Sequence, residues 1–199
     1  MVPREGEAGV NPLLVRPYVA AVSAYFRWGK RPLSRLTYLF GHKPAGEAPA
    51  FASLEEYAAW MSAGLRWRSD HLGGVWDVFP TMDQMIWQLE KQGYVEDDCD
   101  GLAYFSAQMV RQFADDPAQV YVVTLILNPR GLPLQRAAHV LCIFRAGGKW
   151  RVISNNELYP RRYATFDEAL RENPYTRGQE IEFIEVRDAD LKRVDAPAD

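Results

Sequence analysis

Apolar positions along this chain change their spacing near its middle. Before residue 113 they recur every three or four residues, and after residue 119 they alternate or run together. Val15, Val19, Val22 and Phe26 fall at helical spacing, so residues 13–40 are predicted helical in pieces, with breaks at Pro17 and Pro32. Three later helix starts pair a hydroxyl with Glu or Gln three residues on: Ser53 with Glu56, Thr81 with Gln84, and Thr165 with Glu168. The hydroxyl takes a free backbone N–H while the longer side chain reaches back, which predicts helices near 54–67, 82–92 and 166–172. The stripe Leu102, Ala103, Met109, Val110 and Phe113 predicts a further helix, with Cys99 in its first turn and Asp98 as N-cap.

The second half reads as strands. QVYVVTLILN (119–128) is nearly all β-branched or apolar, HVLCIF (139–144) and KWRVIS (149–154) flank the turn sequence Ala146-Gly147-Gly148, and IEFIEV (181–186) alternates. Helices followed by an antiparallel sheet make an α+β fold. Residues 1–50, ending in the Gly/Pro/Ala-rich GHKPAGEAPA, read as an N-terminal helical extension and linker, and residues 51–199 as the main domain.

Composition narrows the function classes. The formal net charge of -3 gives no electrostatic footprint for nucleic acid or anionic lipid. The local cluster Arg27, Lys30, Arg31 and Arg35 reads as a solvated face. The apolar stretch 18–26 is too short to span a bilayer, and no apolar signal segment follows the start, so a cytoplasmic location without membrane contact is expected. Two cysteines form neither a disulfide framework nor a metal-ligand spacing, so neither metal nor cofactor is assigned.

Candidate chemistry lies where the two halves meet. A thiol at a helix N-terminus is favoured as thiolate by unpaired N–H groups and the helix dipole. An imidazole can take its proton, and a third group must then hold the ring. His139 opens a strand, and Ser154-Asn155-Asn156 ends the strand predicted to pair with it. Alternation puts His139, Leu141 and Ile143 on one face and Val140, Cys142 and Phe144 on the other, so Cys142 reads as a buried small hydrophobe. His42 and His71 have no partner spacing and read as surface residues. Trp60, Trp67, Trp76 and Trp87 read as core fillers.

The run GYVEDDCDGLA (93–103) resembles the G-D-C-[DE]-D-x-A signature of bacterial transglutaminase-like cysteine proteinases. HVLCIFRAGGKWRVISNNELYP resembles the second half of that motif, a His-x-x-L strand followed by one ending in Leu-Asp-Asn, and Trp87 fits a Trp that often precedes the Cys motif. The likeness covers about residues 76–160. It implies a papain-like or transglutaminase-like core, with the Cys-bearing helix packed on an antiparallel sheet. It also implies Cys99 as nucleophile, His139 as base, and a peptide or protein substrate cut at a peptide or isopeptide bond. Two positions depart from the family pattern. Ser154 stands where the family has Asp, with Asn155 at the following Asn, so either residue is a candidate for the third member. Gly101 stands where an acidic residue is usual.

For the oxyanion, the backbone N–H of Cys99 is the first candidate donor. Gln92, near the spacing of the papain-like glutamine, is the second, with Trp87 and Gln88 behind it. Asp97, Asp98 and Asp100 oppose thiolate formation by repulsion. Hard cations take such oxygens, and calcium-dependent periplasmic proteases are among the family's relatives, so a Ca²⁺ reading stands beside the capping one. Two alternatives accompany the enzyme: a catalytically degraded binding or structural protein on the same fold, and an unrelated α+β protein in which Cys99 is merely buried.

Overall fold

The computed structural model describes residues 12–30, 32–33, 46–68, 79–128 and 137–197. His42, His71, Trp76, Arg31 and Arg35 lie outside the described residues. Helix α1 (Val15–Ala24) continues as a π-helical turn over Tyr25–Gly29. Pro17 does not break it, because it sits in the first turn, where its missing N–H has no helical acceptor to lose.

Helices α2 (Leu54–Gly64), α3 (Met82–Gln92) and α5 (Phe166–Arg171) start at the three predicted caps, while α4 is Cys99–Val110. Ser53 Oγ accepts the Glu56 N–H at 3.1 Å, and Glu56 Oε2 accepts the Ala52 N–H at 2.6 Å. The same pair of bonds joins Thr165 to the Glu168 N–H at 3.0 Å and Glu168 to the Ala164 N–H at 2.8 Å. The reach-back therefore lands one residue before the cap.

Helix α2 stops short of the predicted end at 67. A Cβ on Gly64 would lie 2.1 Å from the Trp60 ring, so the indole closes over the helix end at a residue without a side chain. Leu65–Trp67 then leaves as strand β1 and pairs in parallel with β2 (Val95–Asp97). Trp67, expected in the core, is exposed at the end of β1.

The main sheet has six antiparallel strands, β3 (Val120–Leu127), β4 (Ala138–Ala146), β5 (Lys149–Ser154), β6 (Glu157–Leu158), β7 (Ile181–Asp188) and β8 (Arg193–Val194), in the order β6-β5-β4-β3-β7-β8. Between β4 and β5, Gly147 and Gly148 have φ of 62° and 72°, the left-handed pair that a two-residue hairpin matched to strand twist requires. The Asp115 carboxylate accepts both of their N–H groups, at 2.7 and 2.8 Å.

Strand alternation builds two cores. Val120, Val122, Val140, Cys142, Phe144 and Ile153 face α4, whose Leu102, Ala103, Phe105, Met109 and Val110 are buried against them. Burial of each large side chain is worth roughly 1.5–3 kcal/mol. Val123, Leu125, Leu141, Ile143 and Val152 face the other way, onto Phe166, Ala169 and Leu170 of α5. The N-terminal helix covers the end of the sheet through Phe26, Ile126 and Phe183. There the buried Arg187 pairs with Glu185 and donates to the Phe26 carbonyl at 2.7 Å. No described helix is long and apolar enough to cross a membrane.

Candidate active site

Helix α4 begins where β2 ends. The Asp98 side chain caps it by accepting the Asp100 N–H at 3.0 Å, and Asp97 Oδ1 accepts the Asp98 N–H at 2.8 Å. This fixes half-buried Cys99 in the first turn, against the first core. Position 101 has no room for a side chain. A Cβ there would lie 2.5 Å from Asp97 Cγ, so the Asp97 carboxylate takes the space a side chain would need.

His139 is buried on strand β4, and alternation turns it toward the second core, away from α4. Cys99 and His139 therefore approach β4 from opposite faces of the sheet. Val140, the residue after His139 on β4, has its backbone N–H directed at the Cys99 thiol. Nε2 of His139 lies 2.9 Å from Ser154 Oγ, the hydrogen bond His139 makes among the described residues; none there joins it to Cys99. Register accounts for the Ser154 contact. Ser154 pairs with Leu141, so it shares the face of His139 one diagonal step away.

Asn155 takes the turn instead, with φ of 53°, a conformation that Asn tolerates. Its buried Oδ1 has no hydrogen-bond partner among the described residues. Gln92 ends α3 exposed, its amide donating to the Tyr94 carbonyl at 3.1 Å. Gln88 Oε1 accepts the Glu96 N–H at 2.8 Å. Both amides thus brace the approach to β2.

Three side chains that sequence reasoning passed over complete the site. Tyr175 stacks on the His139 ring, with centroids 3.8 Å apart and planes 20° from parallel. Its position is set by buried Asn173, whose amide donates to the Ala169 and Leu170 carbonyls at 2.8 and 3.1 Å and whose Oδ1 accepts the Tyr175 N–H at 3.0 Å. The Tyr159 hydroxyl is hydrogen-bonded to Ser154, extending the chain from His139 by one group. Lys30, predicted to be solvated, is buried and paired with buried Asp100. Its ammonium lies 4.7 Å from the Phe79 ring centroid and 5.3 Å from that of Phe26. Only Tyr159 had a local signal, its closeness to the Ser154-Asn155-Asn156 cluster.

The electrostatics follow from burial. Burial, then the charges of Asp98 and Asp100, push the Cys99 thiol well above its usual value; Lys30 and the Val140 N–H pull the other way. Burial lowers His139 to about 3, against the pull of Asp98. Burial would raise the Asp98 carboxyl, but hydrogen bonds from Asp100 and Gly101 and the charge of Lys30 hold it below its usual value. At neutral pH the resting site therefore holds a thiol and a neutral imidazole. The carboxylates of Asp97, Asp98 and Asp100 converge within 4.8 Å, and one of the three already has a cation in Lys30.

No family model matches this chain, and neither a curated protein nor a solved structure does.

Proposed function

We propose that the chain is a transglutaminase-like cysteine peptidase or amidase acting on peptide or isopeptide bonds. The observation that carries the reading is the junction at the start of β4. A helix-opening cysteine receives the N–H of Val140, and the preceding residue is a histidine whose Nε2 is held by Ser154.

In this reading Nδ1 of His139, the ring nitrogen outside the Ser154 bond, takes the Cys99 proton as sulfur attacks the carbonyl carbon. The imidazolium returns that proton to the leaving amine as the C–N bond breaks, leaving a thioester. His139 next deprotonates water, or an amine in the transferase version, and the thioester opens with Cys99 released as thiol. Because the resting pair is neutral, proton transfer accompanies attack instead of preceding it. Ser154 and Tyr175 orient the ring. Ser154 brings no charge to stabilise the imidazolium, which makes a slower base than a carboxylate-backed one.

The second reading is a binding protein on a degraded site, favoured by the serine in place of a carboxylate and by the raised Cys99 thiol. Acyl transfer from p-nitrophenyl acetate separates the two. An enzyme gives a p-nitrophenol burst that Cys99→Ala abolishes and His139→Ala slows by about 10²–10⁴-fold. A burst unchanged by either substitution, or none at all, leaves the binding reading.

A further inference from the structure

The N-terminal helix reaches the site through one residue. Lys30 ends the π-helical turn, its side chain is 2% exposed, and it pairs with the Asp100 carboxylate, also 2% exposed, one position after Cys99. A buried ammonium is costly unless an anion faces it, and a buried carboxylate beside a nucleophilic sulfur is equally costly without a cation. Each answers the other here. The rings of Phe26 and Phe79 lie beside the ammonium, their π faces favouring it further.

We infer that Lys30 is a positioning residue of the Cys99 site, the internal cation that offsets the Asp97–Asp98–Asp100 ring and so makes a thiolate attainable at the start of α4. The inference rests on the reading of Cys99 as the nucleophile, and it makes the N-terminal helix a working part of that site.

The groups around Cys99 come from four elements. Asp98 and Asp100 flank it on its own chain segment, Asp97 closes β2 two residues before it, Val140 beside His139 brings its N–H from β4, and Lys30 reaches in from the N-terminal helix. Three are acids and His139 is neutral above about pH 3, so Lys30 is the cation of the set at neutral pH. Acids nearby disfavour the thiolate, whereas Lys30 favours it, and the two influences carry opposite signs in substitution.

The test is the pH profile of iodoacetamide alkylation of Cys99 in the full chain, read by peptide mass spectrometry, with fully buried Cys142 as the internal control. Five proteins are compared: wild type, Lys30→Met, Lys30→Arg, Asp100→Asn and the Lys30→Met/Asp100→Asn double variant. Lys30→Met is expected to move the profile up by about one pH unit, a roughly tenfold slower reaction at pH 8. Asp100→Asn is expected to move it down, and the double variant to return near wild type, about tenfold slower than Asp100→Asn alone. Lys30→Arg, which keeps the charge, is expected to stay within about twofold of wild type at pH 8.

Should Lys30→Met not fold, the comparison within the Asp100→Asn background decides, because no buried carboxylate is then stranded at position 100. Superimposed profiles for Asp100→Asn and the double variant would overturn the inference. The readout is a difference between variants, so it stands apart from the proposed activity. Acylation at Cys99 with no Lys30 shift sinks this inference alone, and a Lys30 shift with no acylation sinks the enzyme reading alone.

Discussion

The two cysteines pack into the same apolar core, yet their surroundings differ in kind. Cys142 sits mid-strand on β4 with no exposed surface, among Val140, Phe144, Ile153 and the apolar face of α4, and burial alone pushes its thiol up. Cys99 sits at the start of α4, half-buried, with carboxylates, a buried lysine and a backbone N–H around it. Burial pushes both thiols up, and at Cys99 the charges of Asp98 and Asp100 add to it. No charged group contributes to the shift at Cys142, whereas at Cys99 burial, Asp98 and Asp100 stand on one side and Lys30 and the Val140 N–H on the other. A thiol is made inert by uniform burial and made adjustable by opposed charges at a half-buried helix start.

The comparison is sharpened most by removing one charge from the Cys99 side. Lys30→Met strands the Asp100 carboxylate in the interior, and breaking a buried pair is worth about 3–5 kcal/mol. The double variant with Asp100→Asn is expected to regain most of that loss, and urea denaturation of the pair of proteins checks it. Equal stability of the single and double variants would mean the ion pair does not carry the packing of the N-terminal helix.

Acid titration gives the next largest effect. His139 has its folded pKa lowered to about 3 from 6.5, so between those values the unfolded chain binds a proton that the folded one does not. Its contribution is complete above pH 6.5 and is lost as the pH falls toward 3. The loss is roughly 1.4 kcal/mol for each pH unit crossed, a few kcal/mol in all. Denaturation midpoints across pH 3–7 are expected to fall less steeply in His139→Gln. Parallel curves for the two proteins would contradict the burial of a neutral imidazole.

A smaller effect is expected at Gly101. Gly101→Ala pushes a methyl into the Asp97 carboxylate and is expected to destabilise by about 1–3 kcal/mol, while slowing Cys99 acylation by shifting the first turn of α4. The corresponding change at Cys142, Cys142→Ala, is expected to lower stability with acylation unaltered.

Local patterns made most of the fold legible. The caps at Ser53, Thr81 and Thr165, the stripe of α4 and the Gly147-Gly148 turn all act within four residues, and each element formed where its pattern lay. The misreadings came from longer contacts. Trp60 folding over Gly64 and the pairing of β1 with β2 ended α2 early, at residues thirty apart from their partners in β2. The site was legible in the same measure. Alternation on β4 put His139 opposite Cys142, and the hairpin brought Ser154 to it, whereas register alone chose Ser154 over Asn155. Lys30 and Tyr175 could not be read, because both arrive from distant segments with no spacing that links them to Cys99 or His139. Lys30 also carried a charge pattern that reads as solvated, and the Asp100 carboxylate that buries it is seventy residues away.

The central claim is that the cysteine opening α4, and not the one inside the sheet, is a nucleophile served by His139. Its most direct test is to quench the full chain during reaction with p-nitrophenyl acetate and locate the acetyl group by peptide mass spectrometry, in wild type and in His139→Ala. The expected result is a thioester on Cys99, strongly reduced in His139→Ala, with Cys142 unmodified in both. Acetylation confined to lysines, or equal labelling of Cys99 in the two proteins, would contradict it.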